Sequence, residues 1–380
     1  MAIENTHHES VKLLPWFDAL GKAFNLESPP QAILFHGQPG IGKFDFARWL
    51  SKALLCEADL LSTGQKPCNS CEACRWFDTG NHPDFIVLLP QSYKGRLVQA
   101  ELEGSPKIDP VASESQEDGD GGKKESTFIK IDEVRGAIGG INIGSHRGGK
   151  RIILIYPLES LREDASNTLL KSLEEPNPDT IFILVSDRLD RVLPTIRSRC
   201  QLIALPKPSR DLALEWLQSE LKLLLTDTVR TEELEATIDE HAGAPLSARD
   251  QILARHLGDD KDGIGLAITA TRVLLEALSK GPQISYLECA EKVQKAPYSA
   301  LLMCMQRWLF DLQLSRQLGE VRYYRRHAQL IGQLASQLQL AKAQRLWSAL
   351  TLARRHENHP LSTRVQMESM LLQYQQLFAD

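Results

Sequence analysis

The sequence predicts an α/β domain with a parallel sheet, followed by a small helical domain and a larger all-α domain. Up to about residue 205, short β-prone apolar runs alternate with helical patterns, as is typical of a parallel sheet covered by helices. Beyond Pro206 and Pro208 the pattern is helical, and breaks rich in Gly and Pro divide it near residues 243–245, 258–263 and 281–282. We therefore predict three domains, over residues 1–207, 208–260 and 261–380.

Five apolar runs are the predicted strands, at residues 32–36, 84–89, 151–156, 180–186 and 201–205. Residues 91–127 interrupt this order with many Ser, Asp, Glu and Gly and few large apolar side chains. Such a segment cannot bury enough surface to offset its ordering entropy, so we predict a disordered surface insertion. An acidic docking loop is the functional alternative.

Composition is that of a soluble globular protein. The chain has 380 residues, of which 42% are hydrophobic and 24% are charged. Its net charge of −5 argues against a protein that coats nucleic acid by bulk charge. The apolar runs are too short to cross a bilayer, and residues 1–15 do not resemble a signal peptide. We therefore expect a cytoplasmic protein that makes no membrane contact.

A phosphate-binding loop is the first candidate site. Residues 37–43 match the pattern G-x-x-x-x-G-K between the first predicted strand and a helix that runs toward residue 55. Gly37, Gly40 and Gly42 would let backbone amides surround a phosphate, and Lys43 would reach the outer phosphates of a nucleotide. The alternative is a tight structural turn that binds nothing.

Both metal-binding positions of such a site are missing. Phe44 stands where a Ser or Thr hydroxyl would bind Mg²⁺, and it offers no oxygen. The strand over residues 151–156 runs into Tyr156 and Pro157 where a P-loop NTPase places an Asp, and Glu159 lies further on. Phosphoryl transfer depends on charge stabilisation by the metal, so we predict no intrinsic ATPase activity. Whether ATP or ADP still binds in the loop stays open.

The cysteines point to a metal. Seven is an odd total without an export signal, which argues against a disulfide scaffold. Cys56, Cys68, Cys71 and Cys74 lie close together, and the two-residue gaps let successive thiolates turn around one ion. Four thiolates favour structural, tetrahedral Zn²⁺. An iron–sulfur cluster would need a further Cys soon after Cys74, and reduced free thiols are the remaining alternative.

Several independent motifs together resemble one protein family. They lie at residues 36–44, 68–74, 80–84, 145–150, 167–176 and 198–200. In this order they look like the delta-prime subunits of the bacterial DNA polymerase III clamp loader, which are AAA+ proteins. The resemblance is dense from about residue 33 to 205, and beyond residue 210 it rests on helical character and length. It implies an AAA+ domain over residues 1–207 with a zinc module at about 56–74, a helical lid over 208–260 and a collar domain over 261–380.

The resemblance also implies a function. Such a stator subunit belongs to the replicative DNA polymerase III holoenzyme, a DNA-directed DNA polymerase and so a nucleotidyltransferase. It joins the motor subunits and delta in a hetero-pentameric ring and supports ATP-dependent loading of the sliding clamp onto primed DNA. In this family the arginine of the motif at 198–200, here Arg199, reaches the γ-phosphate of ATP held by the adjacent motor subunit. A guanidinium suits that role because it stays charged and its planar fork matches phosphate oxygens.

Three alternatives stay open at this point. Taken alone, Arg199 would be interpreted as a partner in a surface salt bridge. The chain as a whole could instead be an independent P-loop ATPase or DNA motor. It could also be a zinc-dependent nucleic-acid adaptor.

The remaining motif residues have structural as well as functional interpretations. A basic group in a Gly-rich turn would be solvated or would contact primer–template phosphates: His146, Arg147, Lys150 and Arg151. Glu174 and Glu175 end a helix before Pro176 and are expected to face solvent or a neighbouring subunit. We expect Ser186 to be structural and His82 to form a turn rather than to be a fifth metal ligand.

Overall fold

The computed structural model describes residues 11–58, 65–93, 126–139, 149–177, 179–225, 228–257, 263–357 and 361–378. The chain divides into two compact units, Met1–Lys207 and Pro208–Asp380. Most of the predicted insertion, residues 94–125, lies outside the described residues. Its two described ends meet, since the Ser92 amide donates to the Ser126 carbonyl at 3.2 Å. Within the described ranges, no helix combines the length and apolarity that a bilayer crossing requires.

The first unit contains a five-stranded parallel sheet, which confirms the predicted fold class. Its strands are β1 (Ala32–His36), β2 (Phe85–Leu88), β3 (Arg151–Ile155), β4 (Thr180–Ser186) and β5 (Gln201–Ala204). They lie in the order β2-β3-β4-β1-β5. Strands β3 and β4 are buried along their whole length because both of their faces are covered. Three predicted strands were one or two residues too long, since their ends pass into turns.

Helices cover both faces of the sheet. In the described part of this unit they are α1 (Asp18–Ala23), α2 (Lys43–Leu55), α3 (Glu72–Asp78), α4 (Ile131–Gly139), α5 (Glu163–Glu174) and α6 (Pro194–Arg197). Helix α2 packs on one face, where Phe46 meets Phe35 of β1 edge to face at 5.2 Å. Helices α4 to α6 pack on the other face, around Leu34, Phe182 and Leu184. This arrangement holds the carboxyl ends of the strands in fixed positions.

The second unit is helical. Its described helices are α7 (Arg210–Leu224), α8 (Thr231–Glu240), α9 (Pro245–Leu257), α10 (Gly263–Leu278), α11 (Tyr286–Val293), α12 (Tyr298–Leu318), α13 (Ala328–Ser336), α14 (Leu340–Arg355) and α15 (Thr363–Gln375). Leu217, Ile238 and Ile252 belong to one hydrophobic cluster, built by α7 to α9. A second cluster, built by α10 to α15, surrounds the fully buried Trp308. The domain boundary predicted at residue 260 stays a prediction.

A histidine follows α8 at the start of a turn. The His241 ring donates from Nε2 to Gln251 Oε1, and Gln251 in turn donates to Glu240 Oε2 at 3.0 Å. Burial, followed by the nearby positive charge of Arg307, lowers the pKa of His241 to about 4. The ring is therefore neutral at neutral pH.

Candidate functional site

The P-loop has the predicted strand–loop–helix setting, with β1 before it and α2 after it. Gly40 and Gly42 adopt φ angles of 77° and 86°, which favour glycine. A side chain on Gly42 would also collide with Leu14. The Trp16 indole donates to the Ile41 carbonyl at 2.8 Å and fixes the loop from outside. The loop therefore keeps a tight, braced backbone.

Lys43 is turned inward onto its own loop. Its Nζ donates to the Gly37 carbonyl at 2.9 Å and to the Gln38 carbonyl at 2.6 Å. The same atom lies 2.5 Å from Asp187 Oδ1, and the Lys43 side chain is only 2% exposed. The loop lysine is therefore already neutralised by a carboxylate of the same chain.

Aromatic rings lie at the two positions where the sequence predicts that metal ligands are missing. Phe44 stacks on Tyr156, with ring centroids 5.2 Å apart and planes 26° apart. The Tyr156 hydroxyl donates to Asp187 Oδ2 at 3.0 Å. Burial, and then the negative charge of Asp187, raises the pKa of Tyr156 well above its ordinary value. Neither residue offers an ionised oxygen to a divalent cation at neutral pH.

Glu159 binds the end of β4 rather than facing an open metal site. Its Oε2 accepts from the Ser186 hydroxyl at 2.8 Å, and its Oε1 accepts from the Asp187 amide at 3.0 Å. Burial and the neighbouring Asp187 raise the pKa of this carboxyl group. Ser186 is fully buried and also accepts from the Arg188 amide at 3.0 Å, which agrees with the structural role expected for it.

Four cysteine sulfurs form a compact cluster at the end of α2 and around the start of α3. The Sγ atoms of Cys56, Cys68, Cys71 and Cys74 all lie within 4.8 Å of one another. Cys56 and Cys71 are 3.9 Å apart, and Cys68 and Cys74 are 4.0 Å apart. Four thiolates bound to Zn²⁺ at 2.3 Å would stand about 3.8 Å apart. The donor set and its spacing therefore fit a structural zinc ion.

Backbone amides point at these sulfurs. The Cys68 amide donates to Cys56 Sγ at 3.4 Å, and the Cys71 amide donates to Cys68 Sγ at 3.3 Å. Burial raises the pKa of the Cys68 thiol, but hydrogen bonds from Ser70 and Cys71 outweigh it and bring the pKa to about 6. Donors of this kind stabilise thiolates, the form that binds a metal, whereas burial raises the pKa of Cys56 and Cys74.

A buried lysine ties the cysteine loop to α2. The Lys52 side chain is 0% exposed and its Nζ lies 2.7 Å from Asp78 Oδ1. It also donates to Asp78 Oδ2 at 2.8 Å and to Asn69 Oδ1 at 2.7 Å. Asn69 lies inside the cysteine motif and Asp78 ends α3. This ion pair was not predicted, because nothing in the local sequence shows that Lys52 faces inward.

Arg199 lies on the surface between α6 and β5, and its side chain is 36% exposed. It donates from Nη1 to the Thr195 carbonyl at 2.9 Å, and Nη2 lies 2.5 Å from Glu174 Oε1. An open cleft of about 230 Å³ lies beside it, lined in part by Gln31 and Phe182. The guanidinium is therefore held in place and accessible.

The sheet register separates Arg199 from its own P-loop. Ile33 pairs with Gln201 and His36 with Ala204, so β1 and β5 run in parallel. Arg199 precedes the amino end of β5, whereas the P-loop follows the carboxyl end of β1. At about 3.3 Å per residue, the two sites are roughly 20 Å apart along the strand direction. Arg199 therefore cannot act on a phosphate held by this chain's own loop.

One residue of the basic turn, Arg151, differs from both interpretations offered by the sequence. Arg151 is buried and lies 3.5 Å from Asp84, so the expectation of a solvated or DNA-contacting side chain is wrong for this residue. The reason is that Arg151 begins β3, an interior strand whose residues are all buried. Lys150 donates to the Leu26 carbonyl at 2.9 Å. His146 and Arg147 lie outside the described residues.

His82 forms a turn, as expected. The ring is buried and its Nδ1 accepts from the Asp84 amide at 3.2 Å. Asp187 is a site residue that was not predicted from the sequence, and the pairing of Glu174 with Arg199 was not predicted either. Each follows or ends a predicted element, but the signal needed to find them is the order of the strands in the sheet.

Comparison with known proteins gives a consistent picture. A family model described as "DNA polymerase III, delta subunit" matches residues 16–209, just over half of the chain. Proteins named DNA polymerase III subunit delta' from Pseudomonas aeruginosa, Haemophilus influenzae and Escherichia coli are 32%, 27% and 29% identical. The alignments cover 62%, 62% and 65% of this chain and 60%, 59% and 61% of those proteins. The chain thus spans about 60% of the length of these curated relatives.

A solved structure aligns over nearly the whole chain. It is a DNA polymerase III gamma subunit-related protein from Thermotoga maritima, 18% identical, with 95% of this chain and 99% of that chain covered. The TM-score is 0.42, too low to add to the fold described above.

Proposed function

This chain belongs to the DNA polymerase III delta-subunit family, and from that premise we propose that it is a delta-prime-type stator subunit of a clamp loader. In this role it joins motor subunits and delta in a hetero-pentameric ring in the cytoplasm. The ring loads the sliding clamp onto primed DNA at the expense of ATP. The chain contributes Arg199 in trans to hydrolysis by the neighbouring motor subunit. The shared name of relatives from three genera supports this assignment.

The position of Arg199 is the single observation that carries the proposal. An exposed guanidinium at the amino edge of the sheet, opposite its own P-loop, suits action on a nucleotide held by another chain. Arginine fingers stabilise the charge that develops on the transferred phosphoryl group. A finger in trans needs both the exposure and the separation that Arg199 has.

The P-loop supports a stator rather than a motor. Phe44 and Tyr156 supply no metal ligand, and Lys43 pairs with Asp187. An independent ATPase or DNA motor would need the Mg²⁺ that bridges the outer phosphates.

Zinc enters the proposal as a structural cofactor held by Cys56, Cys68, Cys71 and Cys74. All four positions of a tetrahedral site are then protein ligands, so no coordination position is left for substrate. A zinc-dependent nucleic-acid adaptor is the alternative. It predicts tight DNA binding by the isolated chain, which an anisotropy titration with labelled primed DNA would measure.

The test is reconstitution with the motor subunits, delta and the sliding clamp of the same organism. Arg199→Ala should leave co-purification of the ring intact and slow ATP-dependent clamp loading at least about tenfold. Arg197→Ala is the matched control, because it removes an arginine from the same turn. Its clamp loading should stay close to wild type.

Two results would contradict the proposal. A chain that fails to co-purify with the other subunits is not a stator of that ring. Unchanged ATP hydrolysis and clamp loading in the Arg199→Ala ring would exclude the trans role while leaving ring membership intact. Steady-state ATP turnover by the purified chain alone, near 1 s⁻¹ or faster, would favour the motor alternative.

A further inference from the structure

We propose that Asp187 is the residue that keeps nucleotide out of this P-loop, because its carboxylate occupies the place beside Lys43 that a phosphate would take. The inference rests on one part of the proposed function, namely that this chain has no ATPase activity of its own. It does not depend on Arg199 or on ring assembly. Phe44 and Tyr156 stand where metal ligands would be and account for the predicted lack of turnover, whereas Asp187 concerns nucleotide binding itself.

The strand order brings Asp187 to the loop. Asp187 directly follows β4, and the last residue of β4, Ser186, pairs in register with His36, the last residue of β1. Asp187 and Gly37 therefore leave the same edge of the sheet side by side. Ligands of open parallel sheets bind outside this edge, at the carboxyl ends of the strands.

The ammonium group of Lys43 is already surrounded. An ammonium has three N–H donors. Lys43 Nζ donates to the carbonyls of Gly37 and Gln38, and Asp187 Oδ1 lies 2.5 Å away as an ion-pair partner without hydrogen-bond geometry. With a side chain only 2% exposed, Lys43 has no room to add a fourth oxygen. A phosphate would have to displace one of the three oxygens, and the carboxylate is the anionic one.

Asp187 is itself held from two sides. Its Oδ2 accepts from the Tyr156 hydroxyl at 3.0 Å, and its backbone amide donates to Glu159 Oε1 at 3.0 Å. The Tyr156 ring is in turn fixed by stacking on Phe44. The carboxylate therefore cannot turn away from Lys43 without breaking the hydrogen bond from Tyr156.

An incoming phosphate would also meet unfavourable charge. Asp187 and Glu159 lie next to each other at the mouth of the loop, and like charges repel most strongly where solvent is excluded. A displaced Asp187 would be left without the cation that now neutralises it. Neutralising Asp187 removes both its repulsion of a phosphate and the cost of leaving its carboxylate unpaired. The glycine loop and the start of α2 stay as they are.

The test uses the purified full chain and the fluorescent probe N-methylanthraniloyl-ADP, titrated by anisotropy with Mg²⁺ and with EDTA. Asp187→Asn and the smaller Asp187→Ser should bind the probe at least about tenfold more tightly than wild type. Adding Lys43→Met to Asp187→Asn should abolish the gain, which locates it in the P-loop. Asp190→Asn is the matched control, since Asp190 is 58% exposed and pairs with Arg188 in the same turn.

Phe44→Ser tests the missing metal-binding hydroxyl separately from Asp187. It restores the hydroxyl of a usual P-loop but leaves Asp187 in place, so it should bind no better than wild type. A gain in Phe44→Ser without a gain in the Asp187 variants would overturn the inference. Wild-type binding as tight as that of Asp187→Asn, with no turnover, would also overturn it and would leave the stator proposal standing.

A measurement on the wild type covers the case in which neither Asp187 variant folds, judged by circular dichroism. Acetylation with a water-soluble reagent, read by mass spectrometry, should modify Lys43 far less than the exposed Lys22. Adding ADP should not change the extent at Lys43. Protection of Lys43 by ADP would show that nucleotide reaches it and would refute the inference.

Discussion

Arg199 forms an ion pair with Glu174, with 2.5 Å between Nη2 and Oε1. The pair joins two motifs that are separate in the sequence, the end of α5 and the turn before β5. Glu174 is 50% exposed and Arg199 is 36% exposed, so solvent screens the attraction. Surface pairs of this kind contribute about 0.2–1 kcal/mol. Glu174 therefore positions the Arg199 guanidinium when no phosphate is bound to it, and competes only weakly with a phosphate for it.

Glu174→Gln should consequently have a small effect. We expect ATP hydrolysis by the reconstituted ring to rise, by no more than about fivefold, because Arg199 no longer has to leave a carboxylate. The melting temperature of the chain should stay close to wild type. Glu175→Gln, at the next position, is the control for charge loss. A loss of activity as large as that of Arg199→Ala would mean that Glu174 is required for the active position of the finger.

Zinc content tests the cysteine cluster. The purified chain should contain about one equivalent of zinc by elemental analysis. Cys71→Ser should lower that content and the melting temperature together, since a bound ion would link the end of α2 to the start of α3. Cys200→Ser changes a thiol outside the cluster and should keep its zinc. Less than about half an equivalent in carefully purified wild-type protein would argue against the site.

The buried pair of Lys52 and Asp78 is predicted to be costly to break. Lys52→Met removes the cation that pairs with the Asp78 carboxylate and donates to Asn69, so the free energy of unfolding should fall by about 3 kcal/mol. Lys22→Met removes a surface pair with Asp18 and should cost less than about 0.5 kcal/mol. Urea denaturation of both variants measures the difference. Equal losses in the free energy of unfolding would show that the burial of Lys52 does not increase the contribution of its ion pair to stability.

His241 should make stability depend on pH. Its folded pKa of about 4 lies below the ordinary 6.5, so its contribution is complete above pH 6.5 and is lost as the pH falls toward 4. Wild type should lose about 3 kcal/mol more than His241→Asn between pH 7.5 and pH 4. Urea titrations across that range measure the loss. His256→Asn, an exposed position on α9, should follow wild type; a parallel loss in His241→Asn would exclude the histidine as the cause.

Patterns confined to a few neighbouring residues were predicted well. The five strands, the glycine loop before α2 and the helix that stops at Glu174 all follow from periodicity, Gly and Pro. The spacing of Cys56, Cys68, Cys71 and Cys74 indicated a four-thiolate cluster, and the sulfurs do converge. These features depend on local backbone geometry, which the adjacent residues determine.

Contacts between distant segments were not predictable. Arg151 begins a predicted strand, but nothing local shows that its side chain is buried against Asp84. The pairing of Lys52 with Asp78 depends on how α3 packs against α2. Such contacts need the three-dimensional arrangement of whole elements, since each partner is an ordinary charged residue in its own segment.

By itself, the sequence determined that this protein has a glycine loop without metal ligands, a cysteine cluster and an arginine before the last strand. The tertiary structure alone decided what each of them faces. The order β2-β3-β4-β1-β5 brings Asp187 onto Lys43 and keeps Arg199 at the opposite edge of the sheet. The physical reason is that parallel strands share one carboxyl edge, while their order within the sheet is set by packing across the whole domain.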